Sequence, residues 1–250
     1  MRRQFIADVN AVWRNGLSPK RKQMALLSNT DKTAQRPQSL ADRAFDEIEE
    51  MIVGGTLSPG ALISESELSR MLKMGRTPIR EAIARLKFIG FVDVHSRKGI
   101  SVSGVDVIRH LEVLEVRRPL EQSVALHAIE RATDSDISEL KDVSRQLSKV
   151  AKENDRIAYF RIKRTLHDAQ VRAAHNEVLA GTMRILQAQA RRFWWTYEPT
   201  ESFPDAAKLH CAITDNVIAR DTKRAAQAVH ELFNHLETLT KQVVERRGRF

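Results

Sequence analysis

Apolar positions change their period along this chain, and the changes divide it. Over residues 64–103, SESELSRMLKMGRTPIREAIARLKFIGFVDVHSRKGISVS, Leu68, Met71 and Leu72 mark one face of a short helix. Ile79, Ile83 and Leu86 mark a second helix running to about Phe88, after which a strand, a basic glycine turn and another strand follow. Ser64 with Glu67 makes a capping box for the first helix. Gly75 breaks the chain, and Thr77-Pro78 restarts it, with Thr77 as N-cap and Pro78 at the first helical position. Upstream, Ser39 with Asp42 opens a helix through about Val53 that turns Leu40, Ala44, Ile48 and Met51 inward. Gly54-Gly55 ends it, and Leu57-Ser58-Pro59-Gly60 turns into a short strand at 61–63. This order of elements predicts a winged helix-turn-helix, whose second helix offers its N-terminal end to the major groove.

Beyond the wing, Gly104 and Asp106 mark a boundary, and the period becomes helical throughout. Helices are expected over 106–131, 134–153, 155–174, 176–197, 205–219 and 222–246, with Thr133 and Asp136, Asp155, and Asp221 as caps. No alternating pattern interrupts them, so the expected fold class is mainly α: an N-terminal winged helix-turn-helix plus an all-helical C-terminal bundle. Pro119 falls inside the first of these helices, where it leaves the Glu115 carbonyl without its usual donor and should kink the helix. Three segments result: 1–38, 39–104 and 105–250.

Charge sharpens the first two. The chain carries 41 basic and 32 acidic side chains, net +9, but their distribution matters more than the sum. Residues 1–38 are net +6, 39–69 net −6 and 70–98 net +6. The expected DNA-reading half is therefore basic and the half before it acidic, a polarity that orients a domain on a phosphate backbone. Composition over 1–38 points to a flexible arm, although Phe5, Val9, Val12 and Trp13 could form a short amphipathic helix. No stretch approaches the roughly 20 apolar residues of a membrane span. Arg2 and Arg3 precede no apolar signal-peptide core, and Cys211 is the single cysteine, which excludes internal disulfides. A cytoplasmic protein is the simplest expectation.

These residues carry a family resemblance. ALISESELSRMLKMGRTPIREAIARLKFIGFV followed by HSRKGISV resembles the DNA-binding core of the GntR family of bacterial transcription regulators, in the FadR-like branch with a C-terminal FCD effector-binding domain. The resemblance implies that Arg76, Thr77 and Arg80 contact DNA, with Ser96, Arg97, Lys98 and Gly99 at the wing tip. An arginine that some relatives use in the first helix of the motif corresponds to Ser66. In the helical part, EVRRPLE (115–121), YFRIKRTLHDAQVRAAHNEVL (159–179) and LHCAITDNVIARD (209–221) resemble the FCD signatures. Many members hold a divalent metal with one Asp or Asn and three His. Here His167 and His210 keep two of them, but Lys163 stands at the Asp position and Leu232 at the last His position, with His230 and His235 nearby.

An ammonium among two imidazoles repels a cation, so no metal cofactor is expected. If one is retained, His167 and His210 would hold it. Lys163 and Arg117, with His167 and His210, are instead expected to bind a small organic acid directly, Arg offering bidentate geometry and Lys a point charge. The expected protein is a homodimer on double-stranded operator DNA, controlled by that acid and unattached to membranes. Two alternatives differ in chemistry: a sensor of metal plus organic acid, and an enzyme using His167 and His210 as acid and base. The second lacks a nucleophile, a carboxylate pair or a phosphate loop, so no catalytic residue is assigned. Phe193-Trp194-Trp195 reads as packing more than as a ligand clamp.

Overall fold

The computed structural model describes residues 39–96 and 99–247. The expected arm at 1–38 lies outside them. Helix α1 (Leu40–Val53) is capped by Ser39, whose hydroxyl accepts from the Asp42 amide. Its buried stripe is Ala44, Phe45, Ile48, Glu49, Ile52 and Val53. Leu40, expected inside, is 56% exposed because it lies in the first turn, ahead of that stripe, and Met51 is only half-buried.

Strand β1 (Leu62–Ile63) leads into α2 (Glu65–Leu72), where the Ser64/Glu67 capping box is formed in full. Two turns of helix bury only Leu68, and Met71 stays exposed. The helix ends through Lys73 in the left-handed region, φ +52°, rather than at Gly75. Gly75 is instead the N-cap of α3 (Arg76–Phe88). The helix thus starts two residues earlier than Thr77 capping would place it. Thr77 makes no side-chain cap, and Pro78 sits at the third helical position, where its missing N–H has no intrahelical partner to lose. Ile79, Ala82, Ile83 and Leu86 face inward.

Strands β2 (Val92–His95) and β3 (Gly99–Val102) form the wing, antiparallel in a three-stranded sheet of order β1-β3-β2. Ile100 pairs across to Ile63 on one side and Val94 on the other.

Six helices follow among the described residues: α4 (Val107–Arg131), α5 (Asp134–Val150), α6 (Arg156–Ala173), α7 (Glu177–Tyr197), α8 (Phe203–Ile218) and α9 (Thr222–Arg247). Asp106, Thr133, Asp155 and Asn176 cap α4 to α7 with their side chains, and Asp221 accepts from the Arg224 amide at the start of α9. The long α4 continues through Pro119 as one element. Leu114, Leu140, Leu147, Tyr159, Leu166, Phe193, Phe203 and Phe233 fill the core. Guanidinium groups close two helix ends: Arg220 donates to the carbonyls of Ala128 at 3.1 Å and Ala132 at 2.7 Å, and Arg131 to that of Ala174 at 3.3 Å. Cations there also suit the helix dipole.

The winged and helical parts pack as one unit, and α7 is the wall they share. Ala188 of α7 is buried in the winged part's core with Ile185 against it, and Gln189 donates to the Ile89 carbonyl at 2.8 Å.

Candidate DNA-reading face and effector cavity

Arg76, Thr77 and Arg80 all lie exposed on the first turns of α3, which contain no acidic residue in the opening turn. Free amides at a helix start and two guanidinium groups make a ready phosphate site. Arg80 Nε meets Glu65 Oε2 at 2.6 Å, with the two side chains 64% and 37% exposed. An exposed pair of this kind contributes about 0–1 kcal/mol, so phosphate can displace the carboxylate. Ser96 is exposed at the wing tip, while Arg97 and Lys98 lie outside the described residues. Gly99 has φ +86°, and an added Cβ would stand 3.0 Å from the Ile63 carbonyl oxygen. That position therefore demands glycine for geometry, apart from any contact with DNA.

In the helical part the structure brings Arg117, Lys163, His167 and His210 around one cavity of about 20 Å³, room for about one water molecule. His167 Nε2 lies 3.3 Å from His210 Nδ1, so one ring donates and the other accepts. Burial, the facing imidazole and nearby cations hold His167 well below the usual imidazole range. Burial, with Lys163 and Arg117, does the same to His210. Both are neutral at physiological pH.

The cations are not free charges. Lys163 Nζ donates to Glu198 Oε2 at 2.8 Å, and Tyr159 donates to the other carboxylate oxygen at 3.3 Å. Burial lowers the Lys163 pKa, with the Glu198 charge offsetting part of that. Arg117 donates to Glu121 at 2.6 Å within the buried interior. What remains around the cavity is a surplus of donors: Arg117 Nε, Gln187 Nε2, Arg191 Nε and Trp194 Nε1 are buried without a partner, and all four residues line it. The four residues expected at the site do line it, but they are not the whole of it: α7 supplies three of the four unmatched donors. Gln187, the double arginine and Trp194 within the helical run QAQARRFWW were the available signal. Phe193 stacks on His110 at 3.6 Å between ring centroids and is packing, as expected, but Trp194 also faces the cavity.

Two regions of the chain match family models: residues 40–102 the "Bacterial regulatory proteins, gntR family" model and residues 112–235 the "FCD domain" model. The chain is 32% identical over 195 residues to the Nta operon transcriptional regulator of Aminobacter aminovorans, covering 78% of this chain and 90% of that protein. The chain belongs to the GntR family. Its match to the galactonate operon transcriptional repressor of Escherichia coli K12 is 26% over 209 residues, 75% of this chain and 90% of that one. The solved structure of E. coli McbR/YncC superposes with a TM-score of 0.71 at 20% identity, over 82% of this chain and 99% of that one, and supports the same fold. This GntR protein is a DNA-binding transcription regulator and not an enzyme, with an FCD domain for a small-molecule effector. No helix among the described residues is long and apolar enough to cross a membrane.

The residues at this GntR site do not fit a divalent cation. The Lys163 ammonium, standing where the family resemblance implies a carboxylate ligand, is committed to Glu198. Leu232 is buried in the core at the place of the last histidine. His235, one turn on, is half-buried with its Nε2 enclosed and unpartnered but does not line the cavity. Among the described residues no group of three or more His, Cys, Asp and Glu could hold a metal ion. Two neutral imidazoles flanked by cations make a poor cation site.

Proposed function

We propose that this protein is a homodimeric operator-binding repressor whose helical domain binds a small carboxylate without a metal. The observation that carries the effector reading is the donor surplus: four buried N–H groups without acceptors surround a cavity, and the carboxylates bound to its lining cations, Glu198, Glu121 and Glu49, are already engaged. Orphaned buried donors are costly, and an oxyanion satisfies several at once. Arg117, Arg191 and Lys163 supply positive potential, Gln187 and Trp194 direct neutral hydrogen bonds, and the His167–His210 pair offers one ring nitrogen for a ligand hydroxyl. At about 20 Å³ the cavity must expand to admit even a two-carbon acid. Binding and a shift of the surrounding helices therefore go together.

On the DNA side, Arg76, Thr77 and Arg80 read the major groove, and Ser96, Arg97, Lys98 and Gly99 approach the adjacent backbone. A single recognition helix reads few base pairs, and a two-fold dimer on a pseudo-palindrome doubles the site. Repression is proposed from the likeness to the galactonate operon transcriptional repressor. Fluorescence anisotropy with a duplex from the protein's own promoter region tests the reading. Nanomolar, salt-sensitive binding that weakens on adding acetate, lactate, malonate, succinate or citrate is expected. Equal affinity for random duplex would sink the DNA reading, and indifference to every acid the effector reading.

A further inference from the structure

Helix α7 presents its two faces to different tasks. Gln187, Ala190 and Trp194 line the effector cavity. Ala188 is buried in the winged domain's core, Gln189 donates to Ile89, and Arg192 donates to the Ser103 carbonyl at the end of the wing. One residue belongs to both sides. Arg191 lines the cavity with its unpartnered Nε, and its Nη2 is bound to Glu49 of α1, the first helix of the winged domain. Glu49 is 1% exposed and Arg191 7%, so this is a buried ion pair joining the two parts of the molecule. Arg191 also lines a second, larger space of about 410 Å³ between α1, α6 and α7, beside Glu50, Arg164 and Trp195. Arg191 thus borders both spaces.

We propose that Arg191 couples the two sites: without an anion it ties α1 to α7 through Glu49, and a carboxylate in the cavity draws it away, loosening the winged domain. The inference rests on the effector cavity of the previous section. A single guanidinium cannot give its best geometry to two carboxylates on different sides, so the interactions compete. Breaking a buried pair leaves Glu49 without its main partner. Burial pushes the Glu49 carboxyl up, against the pull of Arg191 and Arg164. Linkage then requires that the anion weaken the Glu49 contact by the same factor by which that contact weakens anion binding. The other tie across this face, Arg164 to Glu50 at 2.6 Å, does not reach the cavity and serves as the control.

The test uses the full chain, isothermal titration and the same five acids: acetate, lactate, malonate, succinate and citrate. Hydrogen exchange over Leu40–Val53 is followed alongside. Glu49→Gln should tighten the best-bound acid by about 5- to 150-fold, the usual span for coupled sites, and Glu50→Gln should leave it unchanged. The acid should speed exchange in α1 of the unaltered protein, and Glu49→Gln should show fast exchange without it. If Glu49→Gln fails to fold, Glu49→Asp should give a smaller gain in the same direction.

Acid binding that weakens in Trp194→Phe but is unchanged in both Glu49 variants would overturn the coupling and leave the effector site standing. No binding by any of the five acids at millimolar concentration would overturn both.

Discussion

Replacing Glu198 with Gln isolates the electrostatics of the cavity. The Lys163–Glu198 pair is 2.8 Å apart, with side chains 6% and 2% exposed. At an effective dielectric of about 20 the attraction is about 6 kcal/mol before desolvation is counted. Removing one partner of such a pair costs about 3–5 kcal/mol, because the remaining charge stays buried. For a chain of this size that corresponds to a fall in Tm of about 6–20 °C. Gln keeps a carbonyl to accept from Tyr159, so the loss reports on Lys163 and not on the phenol. Removing both charges with Lys163→Met and Glu198→Gln together should recover at least about 2 kcal/mol relative to the single change. Differential scanning fluorimetry at matched protein concentration measures both, since association shifts Tm by mass action. A fall below about 2 °C in Glu198→Gln, or a double variant no better than the single, would show that the ammonium is hydrated or neutral.

Arg80→Ala should weaken operator binding by about 5- to 150-fold while changing Tm by little, since the side chain is 64% exposed; gel-shift titration at two salt concentrations decides it, and wild-type affinity would refute the docking. Acid should destabilise the fold early. His110, pushed down to about 3 by burial with Arg117 nearby, and His167 and His210 are all depressed below the ordinary value of about 6.5. The unfolded chain therefore takes up their protons first, and the stability present above about pH 6.5 is lost as pH falls. Integrating one proton per ring from pH 6.5 to 5.5 gives about 1 kcal/mol each. Glu49 and Asp168, whose carboxyls burial raises, act in the opposite sense at lower pH. A Tm that is flat or rises between pH 7 and 5.5 would mean the imidazoles are charged in the fold. Elemental analysis of protein purified without chelator should find well under one equivalent of zinc, nickel or manganese, and a stoichiometric metal would overturn the metal-free reading.

Much of this molecule could be read along the chain because its signals are local. Capping boxes at Ser64 and Thr133 fix helix starts through bonds three residues apart, and periodic Ile79, Ile83 and Leu86 fix which side of α3 faces inward. Even so, the sequence misplaced the start of α3: Gly75 in an extended conformation could cap without a side chain, and propensity favoured Thr77.

The chemistry of the cavity was another matter. Lys163, His167 and His210 were visible as departures from a family pattern, but their states depend on partners distant in sequence. Glu198 lies 35 residues from Lys163, and Glu49 lies 142 residues from Arg191. No periodicity connects such pairs, since they meet only after α7 is laid between the two parts of the chain. The sequence by itself determined a winged helix-turn-helix, a helical bundle and a basic, exposed start to α3 at Arg76, Thr77 and Arg80. Tertiary packing alone decided which buried charges are neutralised, which buried donors lack a partner, and that one arginine touches both the cavity and the winged part.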